Sequence, residues 1–145
     1  MSTMVRGILA NKGSQVYTVS PDDDVYAALE RMAEHDVGAL VVLDGDEILG
    51  VMSERDYARK VILFGRASRD TRVRDVMSTG VPTVSLKHSV ATCMACVTES
   101  RVRHLPVVED GELVGLVSIG DLVKAIIDEQ AFEIERLHGY ISGAQ

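Results

Sequence analysis

Two heptapeptides decide the fold of this chain: Gly50–Asp56, with the sequence GVMSERD, and Gly115–Asp121, with the sequence GLVSIGD. Both carry glycine, two apolar residues, serine and, three positions after the serine, aspartate. Serine and aspartate are residues that begin helices, and a short apolar run is typical of a strand. The same strand-to-helix junction therefore occurs twice, which indicates an internal duplication.

The duplication extends far beyond the heptapeptides, because a shift of 65 positions aligns Thr18–Ile62 with Thr83–Ile127 without a gap. A shorter echo precedes each copy, Val5-Arg6 before the first and Val73-Arg74 before the second. The sequence thus predicts a first repeat over 5–64, a linker over 65–72, a second repeat over 73–129 and a helical extension over 130–145.

Each repeat has the element order βαββα. In the first, Ser20 is the expected N-cap of a helix that has Pro21 at its first position and runs to about Glu34. A hairpin that turns at Asp44-Gly45-Asp46 follows, and a second helix, Arg55–Phe64, stops at Gly65. A unit this small cannot cover its own sheet, so we expect a mixed α/β fold in which two repeats pack as a pseudo-twofold pair with two clefts.

This pattern resembles a tandem pair of cystathionine-β-synthase (CBS) domains, a Bateman module, over about Val5–Ile127. The resemblance implies a regulatory module that binds adenine nucleotides (AMP, ADP, ATP or NAD(H)) in the clefts between the repeats and acts on a partner protein. The physical reading agrees, because a strand-to-helix turn points Ser53 and backbone N–H groups at a phosphate. The carboxylate of Asp56 is placed to accept both ribose hydroxyls.

The resemblance, carried over residue by residue, and one arginine of the linker give the expected ligand contacts. These are Thr18, Val37, Gly38, Ala39, Ser53, Arg55, Asp56, Arg72, Thr83, Arg103, His104, Pro106, Ser118 and Asp121. Aspartate at a helix start is most often only a cap, and it is the duplication together with the resemblance that favours ligand contact here.

The two copies differ where phosphates are expected. Arg103-His104 stands in the second copy where Gly38-Ala39 stands in the first. The resemblance implies that Arg103 and His104 serve the cleft of Ser53 and Asp56, with Arg55 as a third basic contact. We therefore expect unequal clefts, with the Ser118–Asp121 cleft taking a less charged adenosine ligand or binding weakly. Arg72 is the linker arginine best placed for phosphate. The alternative role for Arg103 is that of a surface arginine paired with a carboxylate.

Composition limits the remaining classes. The 145 residues are 46% apolar and carry a formal net charge of −7, which suits a globular domain and argues against a nucleic-acid surface. No apolar stretch is long enough for a membrane span, and no signal peptide is recognisable at the N-terminus. We expect a cytoplasmic protein without a catalytic cofactor.

Two other readings remain open. Cys93 and Cys96 form a CxxC motif typical of a thiol redox protein, but they align with positions inside a helix rather than at its start. The scattered histidines do not favour zinc, and no nucleophile–base pair indicates an enzyme. A ligand-free structural dimerisation module is the third possibility.

The extension predicts assembly. It continues the last helix with apolar residues at helical spacing, namely Leu122, Ala125, Ile126, Ile134, Leu137 and Ile141. We expect a homodimer, with an enzyme or transporter as a possible regulated partner.

Overall fold

A computed structural model describes the backbone of residues 3–143 and the side chains of residues 3–139. The second strand of each hairpin runs directly into a helix, as the heptapeptides predict. The elements in chain order are α1 (Val5–Lys12), β1 (Thr18–Val19), α2 (Val25–His35), β2 (Ala39–Asp44), β3 (Glu47–Ser53), α3 (Glu54–Tyr57), α4 (Val90–Ser100), β4 (His104–Glu109), β5 (Glu112–Ser118) and α5 (Ile119–Gly143).

The chain divides into two compact units. Residues 15–82 form one, called the first-repeat unit below; residues up to 14 and those from 83 onwards form the other, called the second-repeat unit. The mixed α/β class is therefore confirmed, but the compact units differ from the sequence repeats at their starts. The segment before each repeat folds with the hairpin of the other repeat.

Backbone hydrogen bonds fix this exchange in the same way in both units. Val73 N–H donates to Asp23 O at 2.9 Å in the first-repeat unit, and Val5 N–H donates to His88 O at 2.9 Å in the second-repeat unit. A shift of 65 relates Asp23 to His88, and the echo relates Val73 to Val5. Val73 and Val5 are both fully buried, so each exchanged segment is held by apolar packing as well as by backbone bonds.

The sheets repeat the same pairing. β1 is parallel to β2, and β2 is antiparallel to β3 with a register shift between Val42 and Leu43. β4 and β5 pair antiparallel with a shift at the equivalent place, between Val107 and Val108. The expected first strand of the second repeat is reduced to a parallel bridge between Val84 and Val107.

The expected start of the first helix of the repeat is wrong. α2 begins at Val25, and its N-cap is Asp24, whose carboxylate accepts the Ala27 N–H at 2.7 Å. Ser20 instead opens a turn, in which its hydroxyl accepts the Asp22 N–H at 3.2 Å. Serine before proline suits a turn as well as a helix cap. Here Ser20 forms the turn, and Asp24, which is next to the first apolar residue of the helix, forms the cap.

The expected end of the second helix is confirmed. α3 continues as a π-helical turn over Ala58–Ile62, and Gly65 has a positive φ of 68°. The N–H groups of Gly65 and Arg66 donate to Ile62 O and Val61 O at 3.1 and 2.9 Å. This is a Schellman closure, for which glycine is the favoured residue.

Each unit has its own hydrophobic core. The first-repeat core includes Leu40, Met52 and Val61 with Val73 and Val76 from the exchanged segment. The second-repeat core combines residues from its hairpin and helices with α1, and its members are Val5, Ile8, Leu9, Val84, Val90, Cys93, Val97, Leu105, Val107, Val117 and Leu122.

The predicted helical extension is also present, since α5 runs to Gly143. Its start is anchored by Leu122, which is fully buried. Apolar side chains on another face of α5 are exposed, from 43% at Val123 to 66% at Ile134. The side chain of Ile141 lies outside the described residues.

Candidate functional site

The candidate site of the first-repeat unit is the junction between β3 and α3. Ser53 is the N-cap of α3, and its hydroxyl accepts the Asp56 N–H at 3.2 Å. Asp56 Oδ2 accepts the Ser53 N–H at 3.0 Å and the Ser53 hydroxyl at 2.9 Å. Serine and aspartate thus cap the helix reciprocally, which satisfies donors that a helix start otherwise leaves open.

The other oxygen of Asp56 is engaged by groups from farther along the chain. Oδ1 accepts the Ser78 hydroxyl at 2.8 Å, and Lys60 Nζ lies 3.3 Å away. Only 8% of the Asp56 side chain is exposed. A ligand hydroxyl can reach this carboxylate only by displacing one of these donors.

The second-repeat unit repeats the junction with a different partner. Asp121 Oδ2 accepts the Ser118 N–H at 2.8 Å, and Ser118 accepts the Asp121 N–H at 3.1 Å. Lys12, at the end of α1, donates to the same Oδ2 at 2.7 Å and to Leu116 O at 2.9 Å. The Asp121 side chain is 22% exposed, so this carboxylate is more open to solvent than that of Asp56.

The surroundings of Asp121 keep it ionised. Burial raises the pKa of its carboxyl, but the Lys12 ammonium and the Ser118 N–H stabilise the charged form, and the net effect holds that pKa below its usual value. The carboxylate at this position therefore carries a negative charge and accepts hydrogen bonds.

The residues that differ between copies lie beside these junctions. Gly38 O accepts the Glu54 N–H at 3.0 Å, and Arg103 O accepts the Ile119 N–H at 2.9 Å. His104 pairs with Ser118 across the β4–β5 ladder. Arg103 is exposed and His104 is half-buried. The backbone of Arg103 and His104 therefore lies at the junction of their own repeat.

A cavity adjoins each junction, and the two differ in charge. The cavity of the first-repeat unit measures about 550 Å³, and its lining includes apolar side chains together with Asp36 and Glu54. The cavity of the second-repeat unit measures about 170 Å³ and is lined by Thr3, Ile8, Asn11, Lys12, Asp121, Lys124, Ala125 and Asp128. Only the latter has lysines among the lining residues that the structure describes.

The remaining candidate residues are scattered around this frame. Thr18 lies in β1 opposite Val41, and Pro106 lies in β4 opposite Leu116. Thr83 is exposed. Arg72 lies 3.7 Å from Asp22 in an exposed ion pair. Val37 and Gly38 line the cavity of the first-repeat unit, Ala39 begins β2, and Arg55 is exposed in the first turn of α3.

The surroundings of the two cysteines disfavour a reactive pair. Cys93 is fully buried inside α4, and burial, with a smaller contribution from Cys96, raises the pKa of its thiol to about 11. A thiolate is the nucleophilic form, so this thiol is inert near neutral pH. Within residues 3–139, no group of three His, Cys, Asp or Glu side chains is arranged to hold a metal ion.

Sequence reasoning missed the side chains that pair with the two aspartates, namely Lys12, Lys60 and Ser78. Lys60 stands one helical turn after Asp56, a spacing that alone suggests an ion pair. Lys12 and Ser78 come from the exchanged segments, and the echo before each repeat does not show on which hairpin it will pack.

Comparison with known proteins identifies the family. The family model for the CBS domain matches residues 5–62 and 73–128. CBSX3, a mitochondrial CBS domain-containing protein from Arabidopsis thaliana, is 39% identical over 151 aligned positions, which cover 98% of this chain and 73% of that protein.

Solved structures agree. A protein with CBS domains from Burkholderia ambifaria MC40-6, described as a signal-transduction candidate, is 51% identical with a TM-score of 0.82, covering 88% of this chain and 96% of that one. The CBS-domain structure of NE2398 is 42% identical with a TM-score of 0.81, covering 88% and 99%. No helix among the described residues is long and apolar enough to cross a membrane. The chain therefore belongs to the CBS-domain family and contains two CBS domains in tandem.

Proposed function

We propose that this CBS pair is a regulatory module that binds adenine nucleotides, AMP, ADP, ATP or NAD(H), and passes the bound state to a partner protein. Asp56 and Asp121 accept the ribose hydroxyls, and Arg103 and His104 contact phosphate. The observation that carries the proposal is the duplicated junction, in which a serine-capped helix start presents a carboxylate beside backbone N–H donors.

The Asp121 junction is the more accessible of the two. Asp56 accepts hydrogen bonds from Ser53 and Ser78 with only 8% of its side chain exposed, whereas 22% of the Asp121 side chain is exposed beside a cavity. The affinities of the two junctions for one ligand will therefore differ. The acidic lining of the first-repeat cavity opposes phosphate at that particular place, since like charges repel.

The test is isothermal titration calorimetry of ligand-free protein with AMP, ADP, ATP and NADH, supported by thermal shift. Saturable heat for at least one of them supports the proposal. If no compound gives heat or shifts the melting temperature, the module is a ligand-free structural one.

Transmission to a partner requires a surface, and α5 supplies a candidate. Val123, Ile127, Ile134 and Leu137 fall within one stripe of the helix at spacings of four, seven and three residues, and each is more than two-fifths exposed. An apolar stripe of this length is uncommon on a monomer. We propose that it is buried in a homodimer, because a twofold interface covers the same stripe on both chains.

Light scattering coupled to size exclusion tests the homodimer. The wild type should elute with twice the chain mass at micromolar concentration, and Ile134→Glu should weaken the association because it places a charge in the interface. Phe132→Glu, on the opposite side of the helix, is the matched control. A monomeric wild type, with and without nucleotide, would leave the stripe as a docking surface for another protein.

A further inference from the structure

Lys12 belongs to the first repeat by sequence but contacts the aspartate of the second. Its ammonium group donates to Asp121 Oδ2 at 2.7 Å and to Leu116 O at 2.9 Å. It stands at the last position of α1, and 37% of its side chain is exposed. The cation that pairs with Asp121, the candidate ribose acceptor, therefore belongs to the exchanged segment.

The first-repeat unit supplies the partners of its aspartate differently. There the exchanged segment reaches Asp56 through Ser78, whose neutral hydroxyl donates at 2.8 Å, and the nearby cation is Lys60 of the same repeat, 3.3 Å away. The Ser78 backbone is itself tied to Val51 by two hydrogen bonds of 3.0 and 2.9 Å. Lys12 has instead four rotatable side-chain bonds and an open cavity beside it. Lys12 can therefore swing into that cavity at the cost of its bonds to Asp121 and Leu116, whereas the Ser78 hydroxyl can only rotate in place.

A ribose that bridges both oxygens of Asp121 conflicts with the present position of Lys12. Oδ2 already accepts the Ser118 N–H and the Lys12 ammonium, and a carboxylate oxygen offers two lone-pair sites. A ribose that uses both carboxylate oxygens must displace one donor. The Ser118 N–H is fixed by the helix start, so the lysine leaves.

The displaced ammonium remains beside a second lysine. The cavity that Lys12 lines also contains Asn11, Lys124 and Asp128, and its two lysines are balanced by Asp121 and Asp128. Lys124 is held by an exposed ion pair with Asp128 at 2.8 Å, and such pairs are weak enough to exchange partners. When a ribose displaces Lys12 from Asp121, a phosphate of the same ligand can pair with the lysine instead. A ligand without phosphate offers no such replacement.

We propose that Lys12 is an exchangeable counter-ion that makes the Asp121 site select phosphorylated adenosine ligands over adenosine. The lysine pairs with Asp121 in the free protein and with the ligand phosphate in the complex. This inference rests on the proposed function, and it reverses the expectation from sequence that the Asp121 site takes the less charged ligand.

The test is calorimetry of Lys12→Met with adenosine and ATP, in an Asp56→Asn background so that the Asp121 site is read alone. Loss of the competing ion pair should raise the affinity for adenosine by roughly two- to fivefold, which corresponds to the free energy of a partly exposed ion pair. Loss of the phosphate contact should lower the ratio of ATP affinity to adenosine affinity by about tenfold, the size of one charge-assisted hydrogen bond.

Two variants make the result specific. Lys87→Met removes a charge from an exposed lysine of the same unit that does not line the cavity, so it should leave the ratio unchanged. Lys12→Arg keeps the charge and should keep the selectivity for ATP. Urea denaturation of each variant shows that it is folded.

The outcomes separate the two proposals. If the protein binds nucleotide but Lys12→Met and Lys87→Met have the same ratio, Lys12 is not the exchangeable counter-ion and the proposed function stands. If no variant and no wild-type protein binds any nucleotide, the proposed function and this inference fail together.

Discussion

The glycine that opens each heptapeptide has a steric role that can be tested in the first-repeat unit. A Cβ atom added at Gly50 would lie 2.1 Å from Ser78 O, a backbone atom of the exchanged segment. Relief of this contact requires the two backbones to separate by roughly 1 Å. The two hydrogen bonds between Val51 and Ser78 would then be lost or weakened.

Gly50→Ala should therefore destabilise the protein by about 3 kcal/mol. Each lost backbone hydrogen bond contributes about 1 kcal/mol, and overpacking of a buried site costs about as much again. The matched control is Gly115→Ala, whose Cβ would lie 2.7 Å from Leu9 Cδ1, the end of a flexible side chain. Its expected cost is about 1 kcal/mol because the leucine can rotate.

Urea denaturation followed by circular dichroism measures both values. Gly50→Ala should lower the free energy of unfolding by clearly more than Gly115→Ala does. Equal losses would refute the argument, because they would show that Ser78 O yields as readily as a leucine side chain.

Three further predictions concern charge and thiol chemistry. Arg103→Ala should weaken ATP by about tenfold and adenosine little, as calorimetry can measure, because its partner is phosphate charge; equal losses would mean that Arg103 acts through the fold. Iodoacetamide near pH 7.5 should modify Cys96 before Cys93, whose buried thiol has a pKa raised to about 11, and mass mapping would show the reverse if the CxxC motif were reactive. The pKa of Asp121 is held below its unfolded value, so its contribution to stability is present above about pH 4 and lost as pH falls further. Urea midpoints at pH 5 and pH 3 should thus differ less in Lys12→Met than in wild type, and an unchanged difference would argue against the ion pair.

The sequence was sufficient for the features that the repeat carries. The heptapeptides placed both strand-to-helix junctions, because serine and aspartate at fixed spacing serve the helix start directly. Gly65 was recognised as a helix end because few other residues adopt its positive φ. Cys93 was recognised as a core residue because it aligns with Ala28, which is also fully buried.

Features that depend on long-range packing were not predictable. The choice of Ser20 as N-cap failed because two capping residues, Ser20 and Asp24, compete within one turn. The exchange of segments depends on which hairpin buries Val5 and which buries Val73. The local sequence pattern does not predict this, because both hairpins offer a similar apolar face. Lys12 was missed for the same reason, since its partner Asp121 is 109 residues away.

Nucleotide binding by the two aspartates is the central claim, and calorimetry of the wild type, Asp56→Asn, Asp121→Asn and the double variant with ATP tests it most directly. Asparagine keeps an oxygen that can accept the serine N–H, so the helix starts should survive. The account predicts saturable binding by the wild type, loss of roughly 1.5–3 kcal/mol at one site in each single variant, and no measurable binding in the double variant. Binding by the folded double variant that equals that of the wild type would contradict the account.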